Sequence, residues 1–209
     1  MTHVVACSLA IEILIFEEYF MLLRFLLITF FCLMTSIAAA DSVDIGLSDN
    51  SFQIGYEHPI NLDDYGSSMV NGRFLYDGDD ETKLGSLGLD FVGKPGNVSG
   101  LDLGVGTKLY VGSTDPDTDF INLAIGLRSS YIFPQLQGLG IAGYFYYAPE
   151  VFSFQDSEGL LEGGVRLTYA VLPKATLYIG YQNISLDVEN RSSSRTIDDS
   201  VRIGFVAHF

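Results

Sequence analysis

The sequence is poor in residues that crosslink a fold, and it contains no tryptophan. Its two cysteines, Cys7 and Cys32, both lie within the first forty residues of 209. A domain formed after residue 40 therefore has no disulfide and no cysteine metal site. Basic residues are also scarce, because 11 Lys and Arg stand against 26 Asp and Glu, for a net charge of −15. This balance argues against a nucleic-acid-binding protein, whose surface must neutralise phosphates.

The first forty residues have the composition of a targeting region. Met21 and Arg24 form a short positive segment, an apolar run follows, and residues 38–40 are all alanine. This order is typical of a secretory signal peptide, so we predict a signal peptide over 21–40 with cleavage before Asp41. A membrane anchor is the alternative, but no basic stop-transfer cluster follows. Residues 1–20 carry three glutamates, and we interpret them as an N-terminal extension from a misplaced start, with a genuine extension as the alternative.

From Ser42 onward, apolar and polar residues alternate with a period of two, and no stretch shows a convincing helical period. Leu103 and Leu109 share one face of such a segment, whereas Asp102 and Lys108 share the other. This alternation indicates a β-strand whose two faces meet different environments. Ten segments fit the pattern: 42–47, 51–57, 69–77, 84–92, 101–111, 121–133, 139–148, 161–171, 175–182 and 201–209.

The connections between these segments alternate in length. Those at 93–98, 134–138 and 171–174 are short, whereas those at 77–83, 112–119, 149–158 and 185–200 are longer and acidic. Short turns at one end and longer loops at the other are typical of outer-membrane barrels. We therefore predict an all-β fold over 41–209, a transmembrane antiparallel up-and-down β-barrel of eight or ten strands. Ten is the favoured count, and it requires that the short segments 42–47 and 51–57 form a spanning hairpin.

The charges on the polar face of the strands are balanced. Five acids stand against five bases, namely Asp44, Glu57, Asp90, Asp102 and Glu162 against Arg73, Lys108, Arg128, Arg166 and Arg202. A confined lumen favours such balance, because an unpaired buried charge is costly. We therefore predict a lumen charge network and an apolar face towards lipid, in preference to a soluble sandwich or lipocalin-like barrel. Within it we expect Arg128, Arg166 and Arg202 to pair with residues of the set Asp102, Glu162 and Asp90.

Glycine and aromatic residues also fit a membrane barrel. Six glycines share the polar face, where their small size leaves space for long basic side chains: Gly104, Gly106, Gly126, Gly164, Gly180 and Gly204. Aromatic residues near the strand ends are predicted to form interfacial girdles: Tyr76, Tyr110, Tyr131, Phe133, Phe145, Tyr147, Tyr169 and Phe209.

The last segment, 201–209, is amphipathic and finishes on an aromatic residue. Such a strand is similar to the C-terminal signal that the bacterial outer-membrane assembly machinery reads. We predict that Phe205 and Phe209 belong to this signal, that the last strand closes the barrel against the first, and that both termini face the periplasm. The expected partners are outer-membrane lipid, lipopolysaccharide and the assembly machinery, and we expect a monomer in the outer membrane.

Four longer motifs resemble one family. They are DGDDETKLGSLGLDF at 77–91, GLDLGVGTKLYVGS at 100–113, GYFYYAPE at 143–150 and LLEGGVRLTYAVLPKATLYIGYQNISL at 160–186. In order and spacing they resemble the YfaZ family of outer-membrane proteins over about 68–209. The resemblance implies a small outer-membrane β-barrel. It implies no reaction, because it brings no catalytic residues with it.

Candidate catalytic residues are few. The histidines are His3, His58 and His208, of which the second precedes Pro59 in a predicted periplasmic turn and the third is predicted to face the lumen. A barrel hydrolase needs a histidine beside Ser, Asp or Glu, and neither position is expected to reach the extracellular rim. We therefore predict no catalytic site, and a structural or interaction role for a barrel with a charge-filled lumen. A small-solute channel is the main alternative, and a barrel enzyme is a further one.

Two acidic loops are candidates for a cation site. Their carboxylates are Asp77, Asp79 and Asp80 in one loop and Asp115, Asp117 and Asp119 in the other. Oxygen-rich loops can hold Ca²⁺ or Mg²⁺. The second loop lacks the glycine and glutamate of an EF-hand, however, and solvated acidic loops are the favoured interpretation. We expect no cofactor other than loosely bound divalent cations, which would bridge to lipopolysaccharide phosphates.

Overall fold

A computed structural model describes residues 41–62, 66–79, 81–96, 98–114, 118–188 and 194–209. The predicted N-terminal extension (1–20) and signal peptide (21–40) lie outside these residues. The strands are β1 (Ser42–Leu47), β2 (Ser51–Leu62), β3 (Gly66–Asp77), β4 (Thr82–Gly93), β5 (Leu101–Thr114), β6 (Thr118–Ile132), β7 (Leu139–Ala148), β8 (Ser153–Gln155), β9 (Ser157–Leu172), β10 (Ala175–Val188) and β11 (Arg195–His208). One 3₁₀ turn spans Glu150–Phe152. Within the described ranges, no helix is long and apolar enough to cross a membrane.

Ten of the strands form one closed antiparallel barrel, in which consecutive strands are neighbours. The last strand closes against the first, with Ser42 opposite His208 and Leu47 opposite Ile203. The three-residue strand β8 pairs with β6 at the rim, inside the connection between β7 and β9. The predicted up-and-down barrel is confirmed, and of the two strand counts left open, ten is correct.

The two ends of the barrel are distinct. We call the end with Ser42 and His208 the terminal end and the opposite one the loop end. The connection between β9 and β10 at the terminal end has two residues, whereas the one between β7 and β9 at the loop end carries the 3₁₀ turn and β8. The predicted alternation of short and long connections is not observed throughout, because 94–100 at the terminal end has seven residues whereas 115–117 at the loop end has three. That the terminal end faces the periplasm therefore stays a prediction.

The strands extend further than the alternation of residues predicted. The acidic connections predicted at 77–83, 112–119 and 185–200 shrink to 78–81, 115–117 and 189–194. Strand β2 continues through His58 to Leu62, so the predicted turn at His58 is wrong. A barrel wall must pair its backbone polar groups whatever the side chains are. Proline is tolerated in β2 because the register is irregular between Pro59 and Asn61.

Side chains alternate between the outer surface and the lumen along the strands. Outward residues are apolar and exposed; for example, Leu127 and Ile203 are 60% and 65% exposed. Inward residues include Asp90, Glu162 and Arg202, which are at most 2% exposed. An apolar band of this extent is unfavourable in water and is covered in lipid. The outer face of the barrel is therefore the membrane-facing surface.

Most of the predicted girdle residues lie on the outer surface, with one exception. Tyr76, Phe145, Tyr147 and Tyr169 are all well exposed. Tyr110 is fully buried in the lumen, so its predicted place in the girdle is wrong. It has the same strand parity as the lumen residue Lys108, and the pleat therefore directs both side chains inward.

Candidate functional site: the lumen

All ten charged residues predicted for the lumen occupy inward strand positions. The structure brings seven of them into ion pairs within the lumen, namely Asp44, Glu57, Asp90 and Glu162 with Arg73, Arg128 and Arg166. Arg202 pairs with a residue outside the predicted set. Asp102 accepts a hydrogen bond from Ser130 at 3.4 Å, and Lys108 lies over aromatic rings. The inner face thus carries a network of charges that crosses between strands.

The deepest ion pair spans the lumen. Arg73 on β3 and Glu162 on β9 lie five strands apart in a ring of ten. Arg73 Nη1 and Nη2 donate to Glu162 Oε1 and Oε2 at 2.5 and 3.1 Å. The hydroxyl of Tyr110 donates to the same carboxylate, which is fully buried. We call this arrangement of Arg73, Glu162 and Tyr110 the crossbar.

Two further ion-pair groups lie nearer the terminal end. Arg128 Nη1 donates to Glu57 Oε1 and to Asp90 Oδ2, both at 3.0 Å. Arg166 Nη1 donates to Asp44 Oδ2 at 2.6 Å. These groups tie strands that are not neighbours in the sheet, so they brace the barrel from inside.

The partners differ from those expected from the sequence. Of the three arginines assigned to the set Asp102, Glu162 and Asp90, only Arg128 contacts a member of it. Arg202 pairs with Asp198 at 2.7 Å and also donates to Ser51 Oγ at 2.7 Å. Asp198 was missed because it lay in the predicted loop 185–200. Alternation predicts the face of a strand, whereas the partner depends on which strands lie opposite and at what height.

An apolar plug lies in the half of the lumen towards the loop end, where it is packed beside buried polar residues. Alternation alone does not predict this plug, because the inward faces of the strands carry mainly polar residues and glycine. Its side chains are at most 1% exposed: Leu75, Leu84, Phe120, Leu160, Ile184 and Leu186. Each lies within four residues of the strand end at the loop side. The sequence carries one sign of this plug. Near the loop end, apolar residues occupy both faces of a strand, as Leu160 and Leu161 do on β9.

A cavity of about 220 Å³ occupies the other half of the lumen. Its charged lining comprises Asp44, Glu57, Asp90, Arg73, Lys108, Arg128 and Arg166. The crossbar residue Arg73 forms part of its wall on the side of the plug. The lumen is therefore divided into a closed half, which holds the apolar plug and the buried Arg202–Asp198 pair, and a charged half with free space.

Glycines on the inner face make room for the charged side chains. A Cβ added to Gly180 would lie 2.7 Å from Cγ of Arg166, and one added to Gly104 would lie 2.9 Å from Cγ of Arg128. Both distances are closer than ordinary contacts, so side chains there would displace the arginines. The expected role of these glycines in accommodating long basic side chains is confirmed at these two positions.

The candidate cation ligands are only partly described. Asp77 is buried at the end of β3, where its Oδ1 accepts from the Asp79 backbone N–H at 3.0 Å. Asp79 Oδ2 accepts from Asn50 at 2.7 Å, and Asp119 lies exposed within β6. Asp80, Asp115 and Asp117 lie outside the described residues. Where side chains are described, no group of three or more metal-ligating residues comes together, and the cation site stays a prediction.

Solved structures similar to this chain are bacterial outer-membrane proteins. The KdgM porin in complex with disordered oligogalacturonate is 13% identical over 81% of this chain and 99% of its own, with a TM-score of 0.43. Neisserial surface protein A is 16% identical over 82% and 94%, with a TM-score of 0.37. The outer-membrane protease OmpT from Escherichia coli is 13% identical over 81% and 93%, with a TM-score of 0.42. No curated protein sequence matches the chain.

A family match covers most of the chain. The profile of the family described as "YfaZ precursor" matches residues 23–209. The word precursor denotes a protein made with a signal peptide, in agreement with export. A barrel with an apolar outer band and charged residues inside is the architecture of the outer membrane. The chain therefore belongs to the YfaZ family and is an outer-membrane β-barrel protein.

Proposed function

We propose that this protein is a closed outer-membrane barrel with a structural or interaction role. The observation that carries the proposal is the plug at the loop end. Leu84, Phe120 and Leu186 are completely buried although they face the lumen. Side chains packed to this extent leave no room for a continuous water path, as in other small barrels whose interiors are filled by side chains.

The crossbar narrows the lumen on the terminal side of the plug. A solute that enters the cavity from the terminal end meets the buried Arg73–Glu162 pair before it reaches the plug. Separating that pair in the lumen would leave two buried charges without partners, at a cost of several kcal/mol. Interactions with other molecules are therefore made by the outer surface, the loop end or the cavity, and not by passage through the barrel.

A small-solute channel is the second candidate function. The cavity of about 220 Å³ favours it, because free space with a charged lining already occupies half of the lumen. A channel would additionally require that the plug move aside. The two candidates therefore differ in whether the folded barrel conducts ions without a stimulus.

Planar-bilayer recordings of the refolded chain 41–209 test the proposal. We expect no steady ion conductance from the folded protein. The double variant Leu84→Ala and Phe120→Ala is expected to conduct, since it removes adjacent parts of the plug. A matched variant on the outer surface, Leu87→Ala and Leu123→Ala, is expected to stay silent. Steady conductance of the unmodified barrel would contradict the proposal, and a silent plug variant would show that the plug is not the barrier.

A further inference from the structure

We propose that the cavity in the terminal half of the lumen binds a small carboxylate anion at Lys108. This proposal goes beyond the closed-barrel role, because it assigns a class of ligand to the cavity on the terminal side of the crossbar. The inference starts from a difference in the contacts that the five basic residues in the lumen make. Four of them, Arg73, Arg128, Arg166 and Arg202, contact a carboxylate at 3.0 Å or less.

Lys108 is the exception. In the part of the chain that the structure describes, no carboxylate oxygen lies within 4.0 Å of its ammonium group. Its Nζ lies 4.0 Å from the ring centroid of Tyr146 and 5.4 Å from that of Tyr144. Aromatic faces stabilise a cation only partly. The cavity wall therefore carries a positive charge without a direct counter-charge.

The nearest acids are already occupied. Asp90 accepts hydrogen bonds from Asn71, Arg128 and Tyr146 at 2.8–3.0 Å, and Glu162 is held in the crossbar. Asp102 lies six residues away along β5, at a distance of ~20 Å, and it does not line the cavity. No carboxylate of the described residues contacts Lys108 directly, so a small anion in the cavity has room to lie against its ammonium group.

A second donor at the cavity favours a carboxylate over a halide. Arg128 and Arg166 line the same cavity, and 31% and 21% of their side-chain surface is exposed, so each offers N–H donors to a molecule in the cavity. A carboxylate has two oxygens and accepts from two donors, whereas a halide offers a single atom. A carboxylate beside Lys108 can therefore accept from the ammonium group with one oxygen and from a guanidinium group with the other.

The cavity also limits the size and charge of the ligand. A volume of about 220 Å³ corresponds to roughly seven water molecules at ~30 Å³ each, which suits an acid of a few carbon atoms. The lining carboxylates of Asp44, Glu57 and Asp90 repel a second negative charge. The ligand class is therefore a small monocarboxylate, of which acetate is the simplest probe.

Calorimetric titration of the refolded barrel in detergent micelles with sodium acetate tests the inference. We expect saturable binding in the millimolar range or tighter, weakened about tenfold or more by Lys108→Met. Lys108→Arg, which keeps the charge, is expected to retain binding. Lys174→Met serves as the control, because Lys174 is exposed in the turn between β9 and β10 at the same end. Heat-modifiable gel mobility shows that each variant is folded.

Three results would overturn the inference. These are no saturable heat with acetate, equal binding by the Lys108→Met variant, and chloride binding as tightly as acetate. The last result would identify a general anion site without carboxylate selectivity. None of these measurements depends on ion conductance, so the failure of this inference is distinguishable from failure of the closed-barrel proposal.

Discussion

Replacing Glu162 by alanine is expected to lower the free energy of unfolding of the barrel by about 3–5 kcal/mol. The side chain of Glu162 is fully buried and accepts hydrogen bonds from both Arg73 and Tyr110. Without it, the guanidinium group of Arg73 stays buried with no counter-charge, and the Tyr110 hydroxyl loses its acceptor. The urea midpoint of unfolding in lipid, read by heat-modifiable gel mobility, measures the effect.

Two further variants isolate the cause of this loss. Glu158 lies on the same strand but is exposed, so Glu158→Ala is expected to change stability by no more than about 0.5 kcal/mol. The double variant Arg73→Met and Glu162→Leu removes both charges and is expected to recover much of the stability lost in Glu162→Ala. Equal urea midpoints for Glu162→Ala and Glu158→Ala would show that the crossbar does not stabilise the barrel.

Phe209→Ala is expected to remove most of the folded protein from the outer membrane. The backbone N–H of Phe209 donates to the carbonyl of Asp41 at 2.9 Å, at the seam between the first and last strands. The Phe209 side chain is 66% exposed. Because this ring contributes little to packing within the barrel, its loss should affect recognition by the assembly machinery more than intrinsic stability. Cell fractionation with heat-modifiable mobility measures the amount assembled.

Phe154→Ala is the matched control for this experiment. Phe154 is 55% exposed and lies in β8 at the loop end, where no assembly signal is predicted. We expect this variant to assemble like the unmodified protein, and purified Phe209→Ala to refold with nearly unchanged stability. Normal outer-membrane levels of Phe209→Ala would contradict the terminal-signal hypothesis. A large loss of stability on refolding would instead assign Phe209 a structural role.

The direction of most side chains was predictable from the sequence, because it follows from the pleat of a single strand. Asp44 on β1 and Glu162 on β9 each follow an apolar residue that faces the other way. Both carboxylates lie in the lumen, as the alternation predicts. The strand closure of β1 against β11 was also predictable, because an amphipathic last strand needs a partner in lipid. Local alternation and the requirement for paired backbone groups therefore account for most of the fold.

The contacts across the lumen were not predictable in the same way. The pair Arg73 and Glu162 is set by ten-strand closure, which brings β3 opposite β9. Asp198, the partner of Arg202, lies in the segment 185–200, whose polar composition predicted a loop. In the structure this residue belongs to β11, because the strand continues to complete the barrel wall. Phe120 and Leu84 shared a face with charged residues, and only the fold shows that apolar side chains gather at one end.

The most direct test of the central claim compares two adjacent aromatic residues on β7. Phe145 points outward and is 49% exposed, whereas Tyr144 lines the cavity inside the barrel. Because the chain has no tryptophan, the variants Phe145→Trp and Tyr144→Trp each carry a single tryptophan, whose fluorescence is excited separately from that of tyrosine. In vesicles of brominated lipid, strong quenching of Phe145→Trp and little quenching of Tyr144→Trp is the result that we predict. Equal quenching of both, or of neither, would contradict a barrel whose apolar face meets lipid and whose charged face encloses the lumen.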